Sequence, residues 1–239
     1  MNDRTRIKIC GLTRASDLQA AIRCGVDAIG LVFHPSSPRH LDTQAAARLR
    51  AQVPAFVTTV ALFANAQAAD VQAVADTLRP DILQFHGEEP EAFCTSFGLP
   101  YIKAFRVGAP GQAGAAELAG TCSAYTSASA WLFDSYSPAY GGSGLKFDLA
   151  LLSDVVVMPG ARPVVLSGGL TADTVAAGLA ACRPYAVDVS SGVESAPGLK
   201  DAHKMHQFVQ AVVQADLQSR LSSSRTFRDH PLQSPRSSS

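Results

Sequence analysis

Four side chains able to move protons or bind anions, Cys10, His86, Asp134 and Ser190, recur at one place in a repeated pattern. Each closes a short apolar run: Arg6–Cys10, Ile82–His86, Ala130–Asp134 and Ala186–Ser190. Successive side chains of a strand point to opposite faces. Ile7 and Ile9, Leu83 and Phe85, Trp131 and Phe133, and Val187 and Val189 therefore share the apolar, helix-facing side. Lys8 and Cys10, Gln84 and His86, Leu132 and Asp134, and Asp188 and Ser190 share the other. A thiol, an imidazole and a carboxyl group gathered at equivalent strand ends are equipped for general acid–base chemistry. The alternative for each one singly is that it caps a turn or fills a barrel mouth.

Two loops suit an anion. Ser167-Gly168-Gly169 and Ser190-Ser191-Gly192 offer small residues whose backbone N–H groups a phosphate can approach, close to helix N-termini. A lone Gly-Gly pair would be only a turn; two such loops in succession point to phosphate. Arg39, in the proline-stiffened stretch His34-Pro-Ser-Ser-Pro-Arg39-His40, is suited to hold a carboxylate bidentately, or is simply an exposed loop arginine. Gly141, Gly142 and Gly144, beside Tyr140, form a further glycine-rich loop that reads as a lid over the site or a long turn.

The elements that must position these residues follow from the spacing of the apolar runs. With Ala28–Phe33, Phe56–Phe63, Tyr101–Val107 and Pro163–Ser167 there are eight, leaving room each time for a helix and two loops. Ser16-Asp-Leu-Gln19 reads as a capping box and Gly25 as the stop of the first helix. Val71, Val74 and Leu78, then Val175 and Leu179, then Met205, Phe208, Val209 and Val212 mark later helical stripes. The fifth helix, 111–122, is glycine-containing and poor in apolar mass. Strands alternating with helices predict a parallel sheet, and eight such units close most readily into a single (β/α)8 TIM barrel, with an open doubly wound sheet as the other solution. The barrel is expected over 1–218 and a disordered Ser/Arg-rich tail over 219–239.

Composition narrows the function classes. Hydrophobic residues make up 47% and aromatics only 7%, which favours packed α/β layers over a β-sandwich. The 20 basic and 20 acidic side chains cancel, so no overall field favours nucleic acid or an anionic membrane. Cys10, Cys24, Cys94, Cys122 and Cys182 are odd in number and widely spaced, which suits reduced thiols in the cytoplasm. Neither an export signal nor a membrane-spanning run is read in the chain.

In this order the motifs resemble the phosphoribosylanthranilate isomerase family, the barrel enzymes of tryptophan biosynthesis, from Ile7 to about Val209. The resemblance rests on Lys8-Ile-Cys-Gly11, Gly30-Leu-Val-Phe33 with Ser37-Pro-Arg39, Gln84-Phe-His-Gly87, Phe133-Asp134 followed by Tyr140-Gly-Gly-Ser-Gly144, Leu166-Ser-Gly-Gly-Leu170 and Val187-Asp-Val-Ser-Ser-Gly-Val-Glu194. It implies an Amadori rearrangement of N-(5-phosphoribosyl)anthranilate to the 1-deoxyribulose ketone. Cys10 then matches the general base, Asp134 the general acid, Arg39 the carboxylate anchor, and Gly168, Gly169, Ser190, Ser191 and Gly192 the phosphate clamp. Lys8, His86, Gly141, Gly142 and Asp188 are expected elsewhere in the pocket. One acid and one base suffice, with no metal or redox cofactor.

Each group needs tuning. A thiol base gains from a cation, and Lys8 is the candidate, unless it only pairs with Asp188. Asp134 as an acid calls for desolvation among Leu132, Phe133 and the glycine-rich lid of Gly141, Gly142 and Gly144. Leu149 stands where the family often has an aromatic, and the tail lies outside the family pattern. The alternatives are the related histidine-pathway isomerase, in which Asp occupies the position of Cys10, and a silent barrel that only binds a phosphorylated metabolite. The state expected is a monomer or homodimer acting on a small phosphorylated molecule.

Overall fold

Strand alternation sorts the core into separate apolar groups, which is how a barrel packs. The computed structural model describes residues 4–136 and 147–228. Strands β1 (Arg6–Cys10), β2 (Ala28–Val32), β3 (Thr58–Phe63), β4 (Ile82–Phe85), β5 (Tyr101–Val107), β6 (Ala130–Ser135), β7 (Val164–Leu166) and β8 (Ala186–Val189) form one closed barrel in chain order. All pairings are parallel, and β8 returns to β1 with Lys8 opposite Asp188.

Ile7, Ile9, Leu83, Phe85, Trp131, Phe133, Val187 and Val189 join the cluster that the helices cover. Those helices are α1 (Ala15–Arg23), α2 (Thr43–Arg50), α3 (Ala68–Leu78), α4 (Glu91–Thr95), α5 (Ala115–Cys122), α6 (Ser153–Val157), α7 (Val175–Cys182) and α8 (Ala202–Arg228). Val71, Val74 and Leu78 of α3, Val175 and Leu179 of α7, and Met205, Phe208, Val209 and Val212 of α8 are buried in it. Burying each such side chain contributes about 1.5–3 kcal/mol. Inside the barrel, Ile102, Ala104, Ala130, Leu132, Val165 and Ala186 form a second cluster. Cys10, Val32 and Leu62 form a third at the carboxyl rim.

Local chemistry moves several boundaries from those the sequence suggests. β3 starts at Thr58, because Phe56 is exposed at φ +70°, outside the strand region. The first helix has no capping box: it begins at Ala15 after an extended Arg14, and Ser16 Oγ donates to Asp17. Asp17 is itself taken by Arg14 and by the N–H of Lys200. Gly25, at φ +82°, follows that helix as expected. α5 starts only at Ala115, since Gly114 is extended and Gly111 lies at φ +75°. α8 runs on through Arg228, beyond the start expected for the tail at Ser219, because the continuous helical stretch from Ala202 contains neither Gly nor Pro to end it.

A buried ion pair secures the loops above β3 and β4. Glu89 accepts hydrogen bonds from the Asn65 and Gly87 N–H groups and from Lys103 Nζ at 2.6, 3.0 and 3.1 Å. Lys103 also donates to the Gly87 carbonyl at 2.6 Å. Removing one partner of a buried pair leaves an uncompensated charge, so Lys103→Met is expected to destabilise the fold by about 3 kcal/mol or more in urea unfolding. A loss below about 1 kcal/mol would show that the pair does not hold these loops.

Candidate active site

A cleft of about 680 Å³, measured out to open solvent, lies at the carboxyl ends of the strands. Cys10 from β1, His86 after β4, Asp134 from β6, and Asp188 and Ser190 at the end of β8 all line it. Arg39 from loop two, after β2, and Gly168, Gly169, Ser191 and Gly192 from loops seven and eight, after β7 and β8, line it too. Lys8 does not: its Nζ lies 2.9 Å from Asp188 Oδ1 inside the barrel, two residues before Cys10. Gly141 and Gly142, with the whole expected lid, lie outside the described residues.

Cys10 is buried, and its Sγ rests against Gly30 on β2, where an added Cβ would come within 2.7 Å of the sulfur. Burial pushes the thiol up, and the Lys8 ammonium offsets this only in part. Asp188 pushes it further up, while Lys200 pulls it down. Lys8 therefore does both things considered for it, bridging to Asp188 while facing the thiol, and the balance leaves the thiol raised.

Asp134 is also buried, with one carboxyl oxygen accepting the Ser135 N–H at 2.8 Å. Its other oxygen lies 3.3 Å from His86 Nε2, and His86 Nδ1 lies 3.3 Å from Gln84 Nε2. Gly168 approaches the same carboxyl group so closely that a Cβ there would meet Asp134 Oδ1 at 3.1 Å and the Ser135 N at 2.7 Å. Its φ of +83° makes glycine doubly required.

Arg39 is buried, its stem lying on Gly11, whose φ is +77° and where an added Cβ would run into that stem. Its Nε and Nη2 reach Glu194 at 2.8 and 2.7 Å. Loops seven and eight meet where Gly192 packs on the Leu170 carbonyl. Gly169, at φ +62°, offers its carbonyl to Thr174 Oγ1, just before α7.

This constellation has counterparts among known proteins. Residues 7–211 match the family model described as N-(5'-phosphoribosyl)anthranilate (PRA) isomerase. The chain belongs to that family. Relatives carrying the name N-(5'-phosphoribosyl)anthranilate isomerase include one from Bordetella petrii, 55% identical over 89% of this chain and 97% of its own. Another, from Leptothrix cholodnii, is 50% identical over 90% of this chain and 94% of its own. The crystal structure of the phosphoribosyl anthranilate isomerase from Thermotoga maritima superposes with a TM-score of 0.78 at 34% identity, covering 88% of this chain and 99% of that one. A further isomerase structure, in complex with reduced 1-(o-carboxyphenylamino)-1-deoxyribulose 5-phosphate, gives 0.75 at 31% identity and the same coverage of both chains. The protein is thus an isomerase of tryptophan biosynthesis built on a TIM barrel.

Sequence reasoning missed two kinds of residue, one lining the isomerase's cleft and one behind it. Val32, Leu62, Ala64, Leu170 and Val189 form an apolar wall that carries no chemical signature. Glu194 and Lys200 stand behind Arg39, and only Glu194's place just after loop eight hinted at it. Among the described residues no group of three or more His, Cys, Asp or Glu converges on a metal-sized site, and no helix is long and apolar enough to cross a membrane.

A raised thiol has a direct consequence. Because burial holds Cys10 above the ordinary thiol range of about 8.5, iodoacetamide labelling of Cys10, read by mass spectrometry, is expected to keep rising beyond about pH 9. Labelling already saturated by about pH 8 would contradict this.

Proposed function

We propose that Cys10 is the general base and Asp134 the general acid of the isomerisation. The observation that carries the reading is that one cleft is lined by both, by Arg39 and by both glycine loops. The two groups stand on β1 and β6, separated around the barrel by β7 and β8, so a sugar between them can meet the acid on one side and the base on the other.

Asp134 gives a proton to the ribose ring oxygen, breaking its bond to C1 and leaving a protonated imine between C1 and the anthranilate nitrogen. Cys10, as thiolate, takes the proton from C2, and the electron pair moves to form the enol-amine. Proton return yields the ketone, so the reaction is a net isomerisation with no external oxidant. The buried cleft supports this division of labour. A raised thiol is mostly protonated at neutral pH, but its thiolate is a stronger base once formed.

Arg39 binds the anthranilate carboxylate, and the backbone of Gly168, Gly169, Ser191 and Gly192, with Ser190, holds the phosphate. His86 and Asp188 complete the pocket, and Lys8 acts from below it. The barrel with α8 is the catalytic domain, and the enzyme works in the cytoplasm as a monomer or homodimer. Its five cysteines, all free thiols, support that compartment.

The test follows the loss of anthranilate fluorescence on turnover. Cys10→Ala and Asp134→Asn are each expected to cut kcat by about 10²–10⁴ with little change in KM, whereas Arg39→Ala raises KM more than it lowers kcat. A Cys10→Ala enzyme with near-normal kcat overturns the base assignment.

A further inference from the structure

Beyond β8 the chain leaves the barrel sheet for a small antiparallel hairpin of β9 (Glu194–Ala196) and β10 (Leu199–Lys200). The hairpin is fixed to the rim from several sides. Thr13 Oγ1 donates to the Gly198 carbonyl at 2.7 Å, and the Lys200 N–H donates to Asp17 Oδ2 at 3.1 Å. Gly198, at φ +79°, passes so close to loop two that a Cβ would come within 2.6 Å of the Pro38 carbonyl oxygen, one residue before Arg39.

The hairpin also carries two buried charges. Glu194 takes Arg39 with both oxygens, and Lys200 Nζ reaches the same carboxylate at 2.7 Å. Lys200, whose side chain is fully buried, donates in addition to the Ser190 carbonyl and hydroxyl at 3.1 and 3.3 Å. Ser190 Oγ in turn donates to the Cys10 carbonyl at 3.0 Å. Glu194 thus occupies the Nε–Nη2 edge of the guanidinium and leaves the Nη1 end for a ligand. An arginine neutralised by a carboxylate has little net attraction for a second one. Burial pulls the Lys200 ammonium down from the ordinary lysine value and the Glu194 carboxylate opposes that; with Lys200 charged, the local sum is +1 −1 +1, or +1. In a buried site, one charge a few ångströms away changes the affinity for an anion by about tenfold or more.

We propose that Lys200 is a positioning and charge-setting residue for substrate recognition: by offsetting the Glu194 carboxylate it keeps the Arg39–Glu194 pair from being net neutral, and so lets the cleft select an aryl carboxylate. This rests on the reading of Arg39 as carboxylate anchor. The hairpin is then part of the specificity apparatus, although neither of its charged groups lines the cleft.

The test compares two ligands by calorimetry: reduced 1-(o-carboxyphenylamino)-1-deoxyribulose 5-phosphate and its counterpart lacking the ring carboxylate. The quantity read is the ratio of their Kd values. Lys200→Met, with local charge zero, is expected to reduce the preference for the carboxylate by about tenfold, while any loss at the Ser190 side of the phosphate clamp falls on both ligands and cancels in the ratio. The double variant Lys200→Met with Glu194→Gln restores +1 and is expected to recover the preference to within about threefold of the unmodified enzyme. A network that served only to hold the hairpin would show no such recovery. An unchanged ratio in Lys200→Met, or a double variant as poor as the single one, overturns the proposal. If Lys200→Met proves too unstable, Glu194→Gln alone, at +2, must hold the ratio at or above that of the unmodified enzyme, and a tenfold fall overturns the proposal equally. Arg39→Ala run alongside separates the two levels. If it keeps the full preference, the anchor reading fails; if it loses the preference while the Lys200 variants do not, the proposal alone fails.

Discussion

The barrel closes where β1 meets β8, and at that seam Lys8 and Asp188 face each other with their charged atoms 2.9 Å apart inside the sheet. Breaking a buried pair of this kind leaves a bare charge, at a cost of about 3–5 kcal/mol, so the register of the seam is held as well as its closure. The reactive end of the cleft is built two residues further along each strand. Cys10 follows Lys8, Ser190 follows Asp188, and the Ser190 hydroxyl bonds to the Cys10 carbonyl. A slip of one residue would turn Cys10 to the helices and bring Ile9 to the rim.

From that seam the cleft divides into three regions of different physical character. Loops seven and eight are glycine backbone brought close together, suited to a multiply charged group that needs donors rather than a countercharge. Across the mouth, Arg39 lies on Gly11 and is pinned by Glu194, a rigid fork with its charge partly spent on the protein itself. Between them Cys10 and Asp134 are both withdrawn from water. Burial disfavours the charged form of the thiol, and Lys8 and Lys200 oppose it from below and behind. The isomerase therefore surrounds its thiol with cations without holding it as a free thiolate.

Much of this was legible in the sequence because strand alternation is a strict code. The parity of Ile7, Lys8, Ile9 and Cys10 was enough to place the thiol and the lysine on the inner side, and the same held for β4, β6 and β8. Helix ends were less legible, because a cap depends on what its side chain meets elsewhere. Ser16, expected to cap the first helix, lies one residue inside it, and its hydroxyl turns to Asp17, which Arg14 and Lys200 also hold. The β9–β10 hairpin was invisible for a related reason. Glu194 and Lys200 acquire their role only by meeting Arg39, which lies 155 residues from Glu194 along the chain. The pair of Glu89 and Lys103 was hidden in the same way: a lysine on a strand reads as polar surface until its partner is known.

The central claim is geometric, that one substrate spans the cleft with its phosphate at loops seven and eight, its carboxylate at Arg39 and its sugar between Cys10 and Asp134. A crystal structure of this chain with reduced 1-(o-carboxyphenylamino)-1-deoxyribulose 5-phosphate tests it most directly. The account predicts phosphate oxygens on the N–H groups around Gly168, Gly169, Ser191 and Gly192, the ring carboxylate on the Nη1 end of Arg39, and sugar C2 beside Cys10 Sγ. A ligand lying the other way round, with phosphate on Arg39 or with Cys10 out of reach of C2, would contradict it.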